Sequence, residues 1–236
     1  MTPRRTPAPL RSFTLVELLV VIAILGLVAG LAIPAIGKAR ETANRGGCAL
    51  NLKTLAAGVL TYATENNGAL PTGSNNAYAG ANVHWWQAAL QTTNFYNKEA
   101  PGMGPRCMYC PSQKLPMRPK SGGAVVKPPY DFGYGINVVL VGTGASNDVP
   151  VRLARFTNLS QLILLADGAA YDEIGGSHSW NLSNINPDPT KQKMSARHGS
   201  NVTVAWCDGH VSFTDRDRLT NTAKYPESTN FWGRWY

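Results

Sequence analysis

Ser12–Ile36 reads SFTLVELLVVIAILGLVAGLAIPAI and lies between Arg11 and Lys38, with no charged residue from Leu18 onward and only Gly26, Gly30 and Pro34 to interrupt it. As a helix, Phe13–Ile36 is about 36 Å long, enough to cross a bilayer core of about 30 Å. The stretch can therefore span a membrane, and Pro34, which lacks an amide hydrogen, is expected to kink it. Its one charge is Glu17. An acid at that depth costs on the order of 2–3 kcal/mol by insertion scales, so Glu17 needs a partner or an interfacial position. A cleaved secretory signal shares the basic flank of Arg4, Arg5 and Arg11 but has a shorter apolar core without an acid inside it. A plain transmembrane anchor satisfies the hydropathy equally well. Lys38, Arg40 and Arg45 follow the span, so counting cations leaves its orientation nearly balanced.

Beyond the span the pattern changes to an amphipathic helix. Ala39, Ala43, Leu52, Leu55, Ala56, Val59 and Leu60 keep a helical rhythm, while Lys38, Arg40, Glu41, Lys53 and Glu65 take the other faces. Gly46-Gly47 weakens this helix and Asn66-Asn67-Gly68 is suited to end it. With 236 residues, the chain has room for the anchor and one globular domain. The net charge of +8 invites a nucleic-acid reading, but the cations are scattered and form no run, so no nucleic-acid partner is expected.

The remainder begins with a small-residue loop over Pro71–Gly80, followed by His84-Trp85-Trp86, whose rings suit core packing or stacking on a sugar. Pro101–Pro129 is rich in Pro and Gly and reads as a surface excursion. Gly133–Val141, Leu162–Ala166 and Val202–Trp206 read as strands. Asp208-Gly209 is expected to form a two-residue type I′ turn in a hairpin over Val202–Phe213. The aromatic tail carries Trp232 and Trp235. No Ser-His-Asp spacing, nucleophile elbow or carboxylate pair stands out, so no enzyme activity and no resident metal or cofactor is expected. One alternative stays open. Cys107-Met-Tyr-Cys110 and Cys207-Asp-Gly-His210 have the spacing of two halves of a zinc site, with Cys207 and His210 on one face of the hairpin.

The string Arg11-Ser-Phe-Thr-Leu-Val-Glu17-Leu-Leu resembles the processing site of type IV prepilins and type II secretion pseudopilins. Cys48-Ala-Leu-Asn-Leu-Lys53 is similar to a segment of large pilin-like proteins, and His198, nine residues before Asp208-Gly209, resembles the H-X9-DG pattern of prepilin-type proteins. The resemblance implies cleavage between Ser12 and Phe13 by a prepilin peptidase and methylation of the new amino terminus of Phe13. The family usually has Gly where Ser12 stands. It also implies an assembly role for Glu17, whose carboxylate is neutralised by the Phe13 amine of a neighbouring subunit in low dielectric.

The fold implied is α+β and pilin-like. Its parts are a cleaved leader (1–12), a transmembrane and assembly helix (13–36), an amphipathic extension (37–66) and a periplasmic head with an antiparallel sheet (67–236). The chain would sit in a bacterial inner membrane, with other pilin-like subunits as partners, as a structural subunit of a type II secretion pseudopilus or related type IV pilus-like filament. A periplasmic head allows disulfides, through Cys107 or Cys110, with Cys48 and Cys207 as candidates for buried thiols. His198 is expected to serve the hairpin structurally. Calcium is a family possibility for which Asp208, Asp215 and Asp217 offer no recognisable ligand loop. The alternative function is a membrane-anchored protein whose head binds a polysaccharide or other surface ligand through His84, Trp85 and Trp86 or the aromatic tail.

Overall fold

The computed structural model describes residues 14–71, 106–112, 118–119, 125–126, 133–141, 151–168, 181–182, 194–221 and 223–232. The chain divides into two units, Met1–Thr42 and Ala43–Tyr236. A single helix, α1 (Leu15–Glu65), begins in the first and ends in the second, passing through Pro34 and Gly46-Gly47 without interruption.

In the first unit, α1 is apolar on every side from Leu18 to Ile36, and its large apolar residues there are exposed. Leu15, Leu27, Leu31 and Ile33 are each at least two-thirds exposed, and Leu18, Val21, Ile24 and Val28 between them are about half exposed. A helix hydrophobic all round is stable only where something other than water surrounds it, and this one is long and apolar enough to cross a membrane.

In the second unit the same helix behaves differently. Cys48, Leu52, Leu55, Ala56, Val59 and Ala63 are buried on one stripe, whereas Leu50 stays exposed. Ala39 and Ala43, expected on the apolar face, are exposed. The buried stripe therefore starts at Cys48, within the head. Each fully buried Leu or Val contributes roughly 1.5–3 kcal/mol relative to exposure, which offsets the Gly46-Gly47 cost of roughly 1 kcal/mol per glycine. Gly47 also has a positive reason to be there: a Cβ on it would lie 3.1 Å from Pro111 Cγ. The helix ends as its sequence suggests. Asn67 takes the left-handed conformation (φ 55°) and the Gly68 amide donates to the Ala63 carbonyl at 2.7 Å, the six-to-one bond of a Schellman end.

The head is built on a five-stranded sheet of order β5-β3-β4-β6-β7, comprising β3 (Tyr134–Asn137), β4 (Ile163–Asp167), β5 (Asn181–Leu182), β6 (Asn201–Trp206) and β7 (Val211–Asp215). A separate pair, β1 (Arg118–Pro119) and β2 (Val125–Val126), falls inside the stretch read as a surface excursion, as does a turn of 3-10 helix at Arg106–Met108. Four strands of the sheet are antiparallel neighbours; β5 adds to β3 in parallel. Both faces are covered. On one, Tyr134, Ile136, Leu165, Ala205 and Cys207 share a core with α1. On the other, Ile163, Val202, Val204 and Trp206 pack with Leu219 and Trp232. Because both faces are covered, all five residues of β4 are buried, and the β4–β6 register shifts between Ile163 and Leu165.

Two expectations are corrected here. The run Gly133–Val141 is not one strand: β3 stops at Asn137, and α2 (Val138–Val141) follows. The cause is the buried Asn137 side chain, whose Oδ1 accepts from the Val139 amide at 3.1 Å while Nδ2 donates to the Ile163 carbonyl at 2.9 Å. A side chain that bonds its own backbone two residues on turns the chain out of the sheet. The β6–β7 hairpin is also not joined by a two-residue turn. Ala205 pairs with Val211 and the Gly209 amide donates to the Trp206 carbonyl at 2.9 Å, leaving Cys207-Asp208-Gly209 as a three-residue loop. Gly209 alone in that loop has positive φ (88°), whereas a type I′ turn requires it of Asp208 as well.

After β7, Asp215 caps α3 (Arg216–Thr220) by accepting from the Asp217 amide at 2.8 Å. The chain then runs to a 3-10 helix at Pro226–Trp232, where the Trp232 indole donates to the Leu219 carbonyl at 3.0 Å. Trp232 of the aromatic tail is thus core.

Candidate functional site

At the start of α1 the described chain opens on Thr14. Its side-chain hydroxyl accepts from the Glu17 amide at 3.2 Å, and Glu17 Oε2 accepts from the Thr14 amide and hydroxyl, both at 2.9 Å. This is a reciprocal capping box, which satisfies amides that the first helical turn leaves without partners. Glu17, singled out by its charge, therefore has a local structural task in the single chain. The signal was legible as Thr-x-x-Glu ahead of an apolar run. Ser12 and Phe13, the expected processing and methylation residues, lie outside the described residues.

A second constellation sits in the head. Cys48, on the buried stripe of α1, forms a disulfide with Cys110, 62 residues later. Around it the packing is tight. Asn51 Nδ2 donates to the Tyr109 carbonyl at 2.8 Å, the Tyr134 hydroxyl donates to the Cys48 carbonyl at 3.4 Å, and the Gly133 amide donates to the Met108 carbonyl at 2.9 Å. Burial is the main cause that pushes the Tyr134 phenol up, so it stays a neutral donor.

His198, three residues before β6, turns inward. Its Nε2 lies 3.7 Å from Cys110 Sγ and 3.9 Å from Asp167 Oδ2. Asp167, the last residue of β4, is buried: Oδ2 accepts from the Thr203 amide at 2.7 Å, while Oδ1 has no hydrogen-bond partner. Desolvation pushes this carboxyl up, and the Thr203 amide, Arg197 and His198 oppose it. Arg197 anchors beside it, donating to the carbonyl of Gly133 at 2.8 Å and to that of Gly168. The ligand-type atoms of Cys48, Cys110, Asp167 and His198 all fall within 4.8 Å of one another.

The set expected from spacing is not brought together. Cys110 is bridged to Cys48, correcting the expectation of a free buried Cys48. Cys107 and Cys207 are thiols, the first half-buried and the second buried, and burial pushes both up. His210 points away from Cys207. The three-residue loop places His210 opposite Trp206, on whose ring it stacks at 5.6 Å, and its Nδ1 lies 2.6 Å from Asp208 Oδ1 at the surface. A two-residue turn would have aligned Cys207 with His210; one more residue moves them to opposite faces. Asp215 caps α3 and Asp217 lies 3.3 Å from Lys224 Nζ.

His84, Trp85, Trp86 and Trp235, the alternative ligand-binding residues, lie outside the described residues, and Trp232 is buried. Asp167 carries no spacing signal, because it merely closes a run of five apolar residues, Leu162–Ala166.

No curated protein and no solved structure matches the chain. Residues 11–33 match the family model of the prokaryotic N-terminal methylation motif, a match that does not reach the His198–Gly209 pattern. The motif and the uncovered apolar helix behind it support a type IV pilin-like precursor anchored in a membrane.

Proposed function

We propose that this chain is a structural subunit of a type II secretion pseudopilus or a related type IV pilus-like filament. The observation that carries the reading is the methylation motif at residues 11–33, set on a helix whose apolar residues are exposed. In this reading residues 1–12 are a leader, removed by a prepilin peptidase between Ser12 and Phe13, and Phe13 is then methylated. Residues 13–36 hold the subunit in the inner membrane and later pack against other pilin-like subunits. Residues 37–66 extend the helix, and residues 67–236 form a periplasmic head. The role is mechanical and not catalytic, as is general for pilin-like subunits.

Glu17 serves assembly by pairing with the Phe13 amine of a neighbour. In the single chain its carboxylate is held by Thr14, which keeps it oriented until the stronger charge pair forms.

The test is intact mass and amino-terminal sequencing of the protein taken from membranes of its own host. The expected chain begins at N-methylated Phe13. A chain retaining Met1 or Thr2 would overturn the reading and leave a plain anchor carrying a separate head.

A further inference from the structure

Four metal-ligating side chains converge at one buried point of the head, and they come from four separate places. Cys48 lies on α1, Cys110 follows the Arg106–Met108 turn, Asp167 ends β4 and His198 precedes β6. Sequence neighbours do not force this meeting; the packing of α1 against the sheet creates it. A disulfide needs neither an imidazole nor a carboxylate beside it, yet both are here, with His198 Nε2 directed at Cys110 Sγ and Asp167 Oδ2. Asp167 Oδ1 is fully buried without a hydrogen-bond donor, and leaving such an atom unmatched costs roughly 1–3 kcal/mol or more.

We propose that in its dithiol form the head binds a Zn2+ ion through Cys48, Cys110, Asp167 and His198, a closed site that alternates with the Cys48–Cys110 disulfide. Sulfur, imidazole and carboxylate are the ligands zinc takes in four-coordinate sites. Around one ion, bond lengths of about 2.0–2.3 Å put ligand atoms about 3.4–3.8 Å apart. The two His198 contacts already have nearly that spacing, and the sulfurs need only part. The outer groups also fit. The Thr203 amide fixes the Asp167 carboxylate through Oδ2, the oxygen that faces His198 Nε2. Two thiolates and a carboxylate outweigh the ion's two positive charges by one, and the Arg197 guanidinium beside Asp167 neutralises the remainder.

The chemistry balances. A thiol reductant supplies two electrons and two protons to open the disulfide, becoming a disulfide itself. Zinc then displaces the two thiol protons. In reverse, a two-electron disulfide oxidant accepts the thiolate electrons, the S–S bond forms and Zn2+ leaves. The same junction of α1, the 106–112 segment and the sheet is thus fastened in reducing and in oxidising surroundings.

The experiment uses the full chain in detergent micelles, reduced with a non-chelating phosphine and freed of it under nitrogen, with Co2+ and Zn2+ as probes. The reduced chain should take up a single Co2+ with the visible ligand-field bands of tetrahedral thiolate coordination, displaced by Zn2+, and the oxidised chain should show none. His198→Gln and Asp167→Asn should each weaken Zn2+ binding at least about 10-fold, whereas the Cys107→Ser/Cys207→Ser double variant should bind unchanged. Circular dichroism follows folding throughout, and a reduced chain that loses structure should regain it with Zn2+. A folded reduced chain without the cobalt spectrum overturns the proposal. So does reduction damage that Zn2+ does not repair, binding that survives both ligand variants undiminished, or binding that is lost with Cys107 and Cys207.

Discussion

Replacing both bridged cysteines, Cys48→Ala with Cys110→Ala, removes the one covalent tie between α1 and the segment that follows Arg106–Met108. The bridge closes a loop over a sequence separation of 62. In the chain-entropy account, releasing a loop of that size returns about 14 cal/mol/K to the unfolded ensemble, or about 4 kcal/mol at 25 °C. Alanine brings no polar atom of its own into the buried site, so most of the loss acts through the unfolded state. For a chain of this size 1 kcal/mol moves the melting midpoint by about 2–4 °C, so the midpoint should fall by roughly 8–16 °C. The assay is thermal unfolding of the full chain in detergent with a chelator present, followed by fluorescence of the buried Trp206 and Trp232. Cys107→Ala with Cys207→Ala is the control, since it opens no loop. A fall below about 3 °C, or one no larger than the control's, would refute the reasoning, because the loop-closure contribution would then be missing.

Three further outcomes are expected. Glu17→Gln keeps the capping box, which Gln can complete, but removes the charge, so it should be processed normally and fail to enter filaments; normal incorporation, seen by immunoblot of sheared filaments, would remove the assembly role given to Glu17. Gly46→Ala meets nothing within 4 Å and should stabilise the head by up to about 1 kcal/mol in denaturant titration, whereas Gly47→Ala should fall short of that because its Cβ meets Pro111 at 3.1 Å; equal gains would refute the close approach. Burial pushes both free thiols up, so native alkylation should be slow at neutral pH and keep accelerating as pH rises past the ordinary thiol range, with half-buried Cys107 ahead of buried Cys207; a rate already at its plateau at pH 8 would contradict the shift.

The helix and the inner strands were legible because their signals are local. An unbroken apolar run, a 3.6-residue stripe from Leu52 to Val59, an Asn-Asn-Gly stop, an apolar run at β4 and a β-branched one at β6 each declare themselves locally. Asn137 was lost inside an apolar run because its effect depends on a buried carbonyl from another strand. The loop after Trp206 is one residue longer than Asp-Gly suggests, since that pair suits both a two-residue turn and the end of a three-residue one. That one residue decides which face His210 occupies, so the zinc set read from spacing failed with it. The cluster in the head was illegible for a different reason. Cys48, Cys110, Asp167 and His198 have no common spacing, and only the packing of α1 on the sheet brings them together.

The central position of β4 has a consequence for how the chain emerges from the ribosome. Its partner β3 is made before it, but β6, Leu219 and Trp232, which cover its other edge and its second face, come later. At about 5–20 residues per second, the stretch from Asp167 to Trp232 takes roughly 3–13 s to synthesise. Until β6 has been made, Ile-Leu-Leu-Ala, apolar and open along one edge, is available to any other strand it meets. The head is therefore most exposed to aggregation during its own synthesis, and Leu219 and Trp232 close the window.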